Sequence, residues 1–165
     1  MRVYLGLGSN LGDRERNLAH AVRLLSRTRG VNVVARSSLW KSAPVGPPQP
    51  DYLNAAVEVD TTLDAPTLLT ACKAIERELG REPGGQRWGP RTLDIDLLLA
   101  DAIVAEPHLQ VPHLELHKRA FALLPLCELA PADAVHPVLR QSLKALLAAV
   151  GDQPVERVGE FYVEL

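Results

Sequence analysis

The residues best suited to chemistry fall in one short run, Arg91-Thr-Leu-Asp94-Ile-Asp96-Leu-Leu-Leu. On an extended strand alternate side chains share a face, so Asp94 and Asp96 point the same way. Leu93, Ile95, Leu97 and Leu99 are then expected on the opposite face, in the core. Two carboxylates at this spacing repel unless a cation sits between them. Hard oxygen ligands favour Mg²⁺, which keeps several waters and bridges substrate phosphates. The competing reading is an exposed strand face with two solvated acids, but the apolar neighbours make a freely solvated strand a poor description. Arg81, Arg87 and Arg91 lie just ahead of the acids, in a Gly/Pro-rich stretch over 81–92 that predicts a loop. Guanidinium forks match phosphate oxygens and stay charged. Such a loop beside a carboxylate pair suits a polyphosphate held by metal on one side and arginine on the other. A solvated surface loop is the plainer alternative. Trp88 argues against it, as a residue that covers a ligand or pins the loop.

Other motifs are weaker. Gly6, Gly8 and Gly12 have the wrong spacing for a dinucleotide fingerprint, and no acid occurs between Glu15 and Asp51 to meet a ribose. A P-loop is absent, since Trp40 rather than glycine precedes Lys41-Ser42. His113 and His117 stand four apart, a zinc spacing on a helix, but Glu115 is misplaced for the zincin motif. His113 reads better as a donor to phosphate, near Lys118 and Arg119. His20 and His136 read as surface or capping residues. Tyr52, Asn54 and Phe121 would suit a flat heterocycle with hydrogen-bonding edges, although each alone is more often packing or a turn. Cys72 and Cys127 lack disulfide-framework or metal-ligand spacing and read as small buried residues.

These residues need a frame. Alternation predicts strands at 3–7, 31–39, 53–59 and 93–99. Helical spacing joins Leu18 to Leu25, then Leu68, Cys72, Ile75 and Leu79, then Leu139 to Val150. Asp64 reads as an N-cap with Pro66 in the first turn, and Gly30 and Gly80 as stops. Residues 42–51 hold four prolines and predict a loop. Pro107 and Pro112 bracket a short extended piece, and the tail from Pro154 could add an edge strand. Strand, helix, strand, strand, helix, strand is the ferredoxin-like split βαβ order, an α+β class. An antiparallel sheet with its helices on one face is expected. The 165 residues carry a formal net charge of −2, with 47% apolar and 23% charged residues. That composition fits one domain over 1–165 with its own core. It disfavours a duplex nucleic-acid binder, which needs a basic face. No apolar run approaches the ~20 residues of a membrane span, and the N-terminus lacks a signal-peptide core. The cytoplasm is the expected compartment.

The motifs in order resemble the 6-hydroxymethyl-7,8-dihydropterin pyrophosphokinase family of folate biosynthesis. The resemblance runs from Tyr4-Leu-Gly-Leu-Gly-Ser-Asn-Leu-Gly to Phe121-Ala-Leu-Leu-Pro-Leu-Cys-Glu-Leu-Ala-Pro131. Its most specific piece is Arg87-Trp-Gly-Pro-Arg-Thr-Leu-Asp-Ile-Asp96. Gln49-Pro-Asp-Tyr-Leu-Asn-Ala-Ala56 and Val111-Pro-His113 are further matches. The resemblance implies a ferredoxin-like fold and transfer of diphosphate from ATP to the pterin hydroxymethyl group, releasing AMP. It implies two Mg²⁺ ions on Asp94 and Asp96, with Arg81 and Arg91 meeting phosphates or assisting transfer. Glu76, Trp88, Arg91, His113 and Arg119 match the nucleotide side. Ser42, Ala43, Val45, Tyr52, Asn54 and Phe121 match the pterin side, the aromatics sandwiching the ring. It also implies that the loop over 82–90 is mobile until both substrates bind. No obligate protein partner is evident, and the length leaves no room for a fused second folate enzyme. Glu82-Pro-Gly-Gly-Gln86, Leu114, His108 and Gln110 depart from some members, which bears on nucleotide affinity rather than on the reaction. Two other classes share the same acids: a metal-dependent phosphohydrolase with water as nucleophile, and a ligand-binding module without turnover.

Overall fold

The computed structural model of the chain describes residues 1–44, 46–80 and 91–165. Its centre is an antiparallel sheet built from β1 (Arg2–Ser9), β2 (Val31–Arg36), β3 (Leu39–Ser42), β4 (Tyr52–Thr61), β5 (Asp94–Ala100) and β8 (Val155–Gly159). The spatial order is β5-β1-β4-β3-β8, with β2 also beside β4. The ferredoxin-like order expected from the sequence is present, β1 and β4 forming its middle. The stretch read as one strand over 31–39 is two. Ser37 and Ser38 break it, and Ser37 keeps contact with β4 by donating its N–H to the Ala56 carbonyl (2.9 Å). The tail does add an edge strand, β8. A second small sheet pairs β6 (Val104–Glu106) with β7 (Leu109–Val111), the extended piece between the prolines.

Helices α1 (Arg14–Arg27) and α2 (Ala65–Glu78) cover one face of the sheet. Their starts are fixed by Asp13, which accepts from the Arg16 amide at 3.2 Å, and Asp64, which accepts from Thr67 at 2.9 Å. Gly30, after α1, has φ +84°, and a Cβ there would lie 2.9 Å from Thr62 Oγ1. That turn needs glycine for its conformation and for its space. Leu18, Val22, Leu25, Leu68, Cys72 and Ile75 pack on Val3, Leu5, Leu7, Val57, Ile95 and Leu97.

The expectation of helices on one face is corrected here. Helices α3 (Ala120–Leu129) and α4 (Leu143–Ala149) build a second apolar cluster on the other face, with Tyr4, Leu98 and Leu99. The cause is local. A bulge between Tyr4 and Leu5 shifts the β1–β5 register, so Leu97 pairs with Leu5 but Leu99 with Tyr4. The extra residue turns Leu99 to the second cluster, against the expected alternation. The third helix is also shorter than read. Leu139 lies before it, 38% exposed, and Ser142 caps it by accepting from Ala145 at 3.0 Å.

Candidate active site

Among the described residues β5 ends the sheet, so its outer edge carries backbone donors and acceptors with no neighbouring strand there. Those groups organise the site. The Ile95 amide, between the two aspartates, donates to Glu76 Oε2 at 2.8 Å. Glu76 reaches it from the last turn of α2 and is 5% exposed. Three residues further along, the Leu98 carbonyl accepts the His113 amide at 3.0 Å. The His113 ring is oriented in turn. Its Nδ1 accepts the Glu115 amide at 3.1 Å, which leaves Nε2 to face Asp96 Oδ1 at 3.9 Å.

Ile95 and Leu97 face the main core, so Asp94 and Asp96 take the other side, as the alternation predicts. There they pair with Gly8 and Gly6 of β1. The Leu98 side chain fills the space beside Gly6, 3.1 Å from where a Cβ would lie, and the floor beside the acids opens at Gly8. A Cβ on Gly8 would lie 3.4 Å from the Tyr52 ring and 3.5 Å from Asn54 Oδ1. Tyr52 and Asn54 continue the same face on β4. The Asn54 Nδ2 group is tied down to Ser42 Oγ at 2.8 Å and to the Trp40 carbonyl at 3.2 Å. Its Oδ1 is therefore turned toward the open floor. Across from it, Arg119 lies over the Phe121 ring, 5.6 Å from the centroid, at the start of α3.

One cleft of about 660 Å³ joins these groups. Its walls include Ser42, Ala43, Tyr52, Asn54, Glu76, Arg91, Asp94, Asp96, His113, Arg119 and Phe121. Arg81, Trp88 and Val45, with the loop expected over 82–90, lie outside the described residues. The cleft has an acidic edge at Glu76, Asp94 and Asp96, faced by the cations Arg91 and Arg119. Toward Tyr52, Asn54 and Phe121 it becomes flat and aromatic. A polyphosphate at one end and a planar heterocycle at the other fit that division.

Among the described residues no group of three or more His, Cys, Asp or Glu side chains is arranged to enclose a metal. The donor chemistry still suits Mg²⁺. Two carboxylates on an open strand face are what that ion takes when waters and substrate phosphates complete its shell. The zinc spacing of His113 and His117 does not produce a site. His113 faces Asp96, whereas His117 meets His136 edge-on at 6.5 Å between centroids. His136 is not a surface residue but a buried cap, whose Nδ1 accepts the amides of Val138 (3.3 Å) and Leu139 (3.0 Å). Cys72 is buried, and burial together with Glu76 and Asp96 pushes its thiol up to about 12, so no thiolate forms there at neutral pH. Cys127, read as buried, is half-exposed.

Several residues escaped the sequence reading. Lys73, one turn before Glu76 on α2, lines the cleft. Asn10 is 1% exposed and ties two loops together. Its Oδ1 accepts the Arg91 amide at 2.8 Å, and its Nδ2 donates to Gln49 Oε1 at 2.7 Å and the Pro50 carbonyl at 3.0 Å. The signal was available in Gly8-Ser9-Asn10, because an amide in a turn commonly binds backbone.

The family model described as 7,8-dihydro-6-hydroxymethylpterin-pyrophosphokinase (HPPK) matches residues 4–131. A 2-amino-4-hydroxy-6-hydroxymethyldihydropteridine pyrophosphokinase of Methylorubrum extorquens is 45% identical over 159 residues, covering 95% of this chain and 98% of that protein. The protein of the same name from Pseudomonas aeruginosa is 43% identical, covering 95% and 96%. Among solved structures, a Plasmodium falciparum HPPK-DHPS matches with a TM-score of 0.70 at 16% identity, over 90% of this chain. That likeness speaks for the fold alone, and the present chain spans 45% of the longer one. No helix among the described residues is long and apolar enough to cross a membrane. The family model spans most of the chain and both relatives match it nearly end to end, so the chain belongs to the 7,8-dihydro-6-hydroxymethylpterin-pyrophosphokinase family.

Proposed function

We propose that the chain transfers diphosphate from ATP to the hydroxymethyl group of 6-hydroxymethyl-7,8-dihydropterin in folate biosynthesis, as a cytoplasmic enzyme that works with two Mg²⁺ ions. The observation that carries the reading is the cleft's division. A carboxylate pair lies over glycines at one end, and Asn54 with Tyr52 and Phe121 lies at the other. The pterin hydroxyl oxygen forms a bond to the β-phosphorus, the bond from that phosphorus to the α-phosphate oxygen breaks, AMP leaves and the hydroxyl proton is lost.

The protein's share is positioning and charge rather than covalent chemistry. Asn54 Oδ1 accepts from the pterin edge, while Ser42 and Ala43 bound that edge at the end of β3. Tyr52 and Phe121 hold the ring. Asp94 and Asp96 would hold the metal ions, which when bound neutralise phosphate charge and bring the two substrates together. Arg91 and Arg119 face the phosphates, and His113 directs Nε2–H to the same region. Glu76 braces the strand between the acids on the nucleotide side. Arg81, Trp88 and Val45 enter by family resemblance, the first two as phosphate and nucleotide contacts and Val45 as a pterin contact.

The test is product identity. With ATP, Mg²⁺ and the pterin, AMP is expected, and none without the pterin. ADP, or hydrolysis that ignores the pterin, would replace this reading with a phosphohydrolase. Absence of any turnover would leave a binding module.

A further inference from the structure

Glu128 takes no part in the site described above, yet it gathers the hydrogen bonds that join α3 to the sheet. Its Oε1 accepts the Trp40 indole N–H at 2.6 Å and the Ser38 amide at 3.1 Å. Its Oε2 accepts the Ser38 hydroxyl at 2.8 Å. Ser38 Oγ also accepts Arg157 Nε at 3.1 Å, which extends the link to β8. Charge-assisted bonds of this kind are stronger than neutral ones. The side chain is exposed, so these bonds hold geometry without the burial of a charge.

Two walls of the cleft meet at this junction. Trp40 pairs with Asn54 across β3 and β4, and its carbonyl accepts from Asn54 Nδ2. Trp40 is thus held at its indole by Glu128 and at its carbonyl by the amide that presents Oδ1 to the cleft. Phe121 lies seven residues before Glu128 on α3, on the same helical face about 10 Å away. Fixing Glu128 against β3 fixes the height of Phe121 over the same floor.

We infer that Glu128 is a positioning residue for the heterocycle end of the cleft, setting the Phe121 wall and the Asn54 amide together through Ser38 and Trp40. It touches no substrate. The inference rests on the proposed pterin reaction and adds a residue to it. The conservative variant is informative. In Glu128→Gln the amide oxygen keeps both N–H donors, and the amide nitrogen can donate to the Ser38 hydroxyl. Glu128→Ala loses all three bonds.

The experiment measures KM for the pterin and for ATP, with kcat, in native protein, Glu128→Gln, Glu128→Ala and Trp40→Phe. Glu128→Ala is expected to raise the pterin KM about tenfold, the ATP KM less than twofold. Glu128→Gln should stay within threefold of native on both. Trp40→Phe, which loses the indole donor and some ring bulk but leaves Glu128 and Ser38 in place, should raise the pterin KM about threefold. A merely structural role would lower the melting temperature and leave both KM values in place, and that result overturns the inference. A parallel rise of both KM values also overturns it. If Glu128→Ala does not fold, an unchanged pterin KM in Trp40→Phe refutes the inference. Native protein without pterin-dependent AMP removes the underlying reading instead, and the inference falls with it.

Discussion

Glu76 offers the sharpest test of how the site is held. Its carboxylate accepts the Ile95 amide at 2.8 Å, on the outer edge of β5, and both groups are buried. Glu76→Ala leaves that amide without its acceptor, at about 1–3 kcal/mol for an unsatisfied buried donor. Loss of side-chain packing adds about 1 kcal/mol for the methylene. For a chain of this size each kcal/mol moves the melting temperature by about 2–4 °C. A destabilisation near 3 kcal/mol then predicts a fall of about 6–12 °C. Glu76→Gln separates the acceptor from the charge, because it keeps the first and drops the second. It should melt closer to the native temperature than the alanine variant does. Thermal denaturation followed by circular dichroism measures this, with amide exchange at Ile95 as the local readout. Protection at Ile95 should fall in Glu76→Ala and persist in Glu76→Gln. The reasoning is refuted if the alanine variant melts within about 1 °C of native with Ile95 still protected. A glutamine variant as unstable as the alanine one would refute it too, because charge and not the acceptor would then hold the strand.

Three further outcomes follow from the same structure. Asp94→Ala and Asp96→Ala should each lower kcat at least ~10²-fold at matched Mg²⁺, as loss of an electrostatic group does, and near-native turnover in either would sink the metal assignment. Gly8→Val fills the floor between Asp94 and Asn54, whereas in Gly8→Ala the new Cβ makes ordinary contact at 3.4 Å. Steady-state kinetics should show the pterin KM rising roughly tenfold for valine and only slightly for alanine; equal KM values would place the heterocycle elsewhere. His136 carries a prediction for pH. Burial first, then His117, lowers its pKa from the ordinary 6.5. The unfolded chain therefore binds the proton more readily, so stability is complete above about pH 6.5 and lost as pH falls toward the lowered native value. Protonation at Nδ1 also breaks the two bonds it accepts from Val138 and Leu139. Melting temperatures at pH 7.5 and 5.5 should converge in His136→Asn relative to native; an unchanged difference would assign the acid sensitivity to other groups.

What could be read from sequence divides along physical lines. Periodicity and caps are local, so β1, α1, β4, α2 and β5 emerge with Asp64 and Gly30 in their expected parts. The acid pair is legible because strand alternation alone puts Asp94 and Asp96 on one face. Helix α3 is not legible in that way. Ala120–Leu129 is almost wholly apolar and contains Pro125, so it offers neither an amphipathic stripe nor an unbroken helical pattern. It forms because it is buried between the sheet and α4, a tertiary cause. The register shift that sends Leu99 to this second cluster is equally invisible, since it belongs to a pair of strands and not to either one.

The same distinction applies within the site. Asp94 and Asp96 announce themselves by residue type and spacing, and Tyr52 and Asn54 chiefly through the family resemblance, but what makes them a site is supplied by groups with no such signal. Gly8 matters for the space it leaves beside Tyr52 and Asn54, and its residue type alone does not announce that. Asn10 matters because it bonds both the Arg91 backbone and the Gln49–Pro50 segment. Glu76 matters because β5 is an edge strand with an amide to satisfy, and only the sheet order reveals that edge. Residue type thus indicates which chemistry is on offer, while hydrogen-bond accounting in three dimensions indicates what holds it in register. Substitutions at the first group should change turnover with the fold intact. Substitutions at Asn10 or Glu76 should change both, because the backbone they satisfy is the backbone that carries the acids and the arginine.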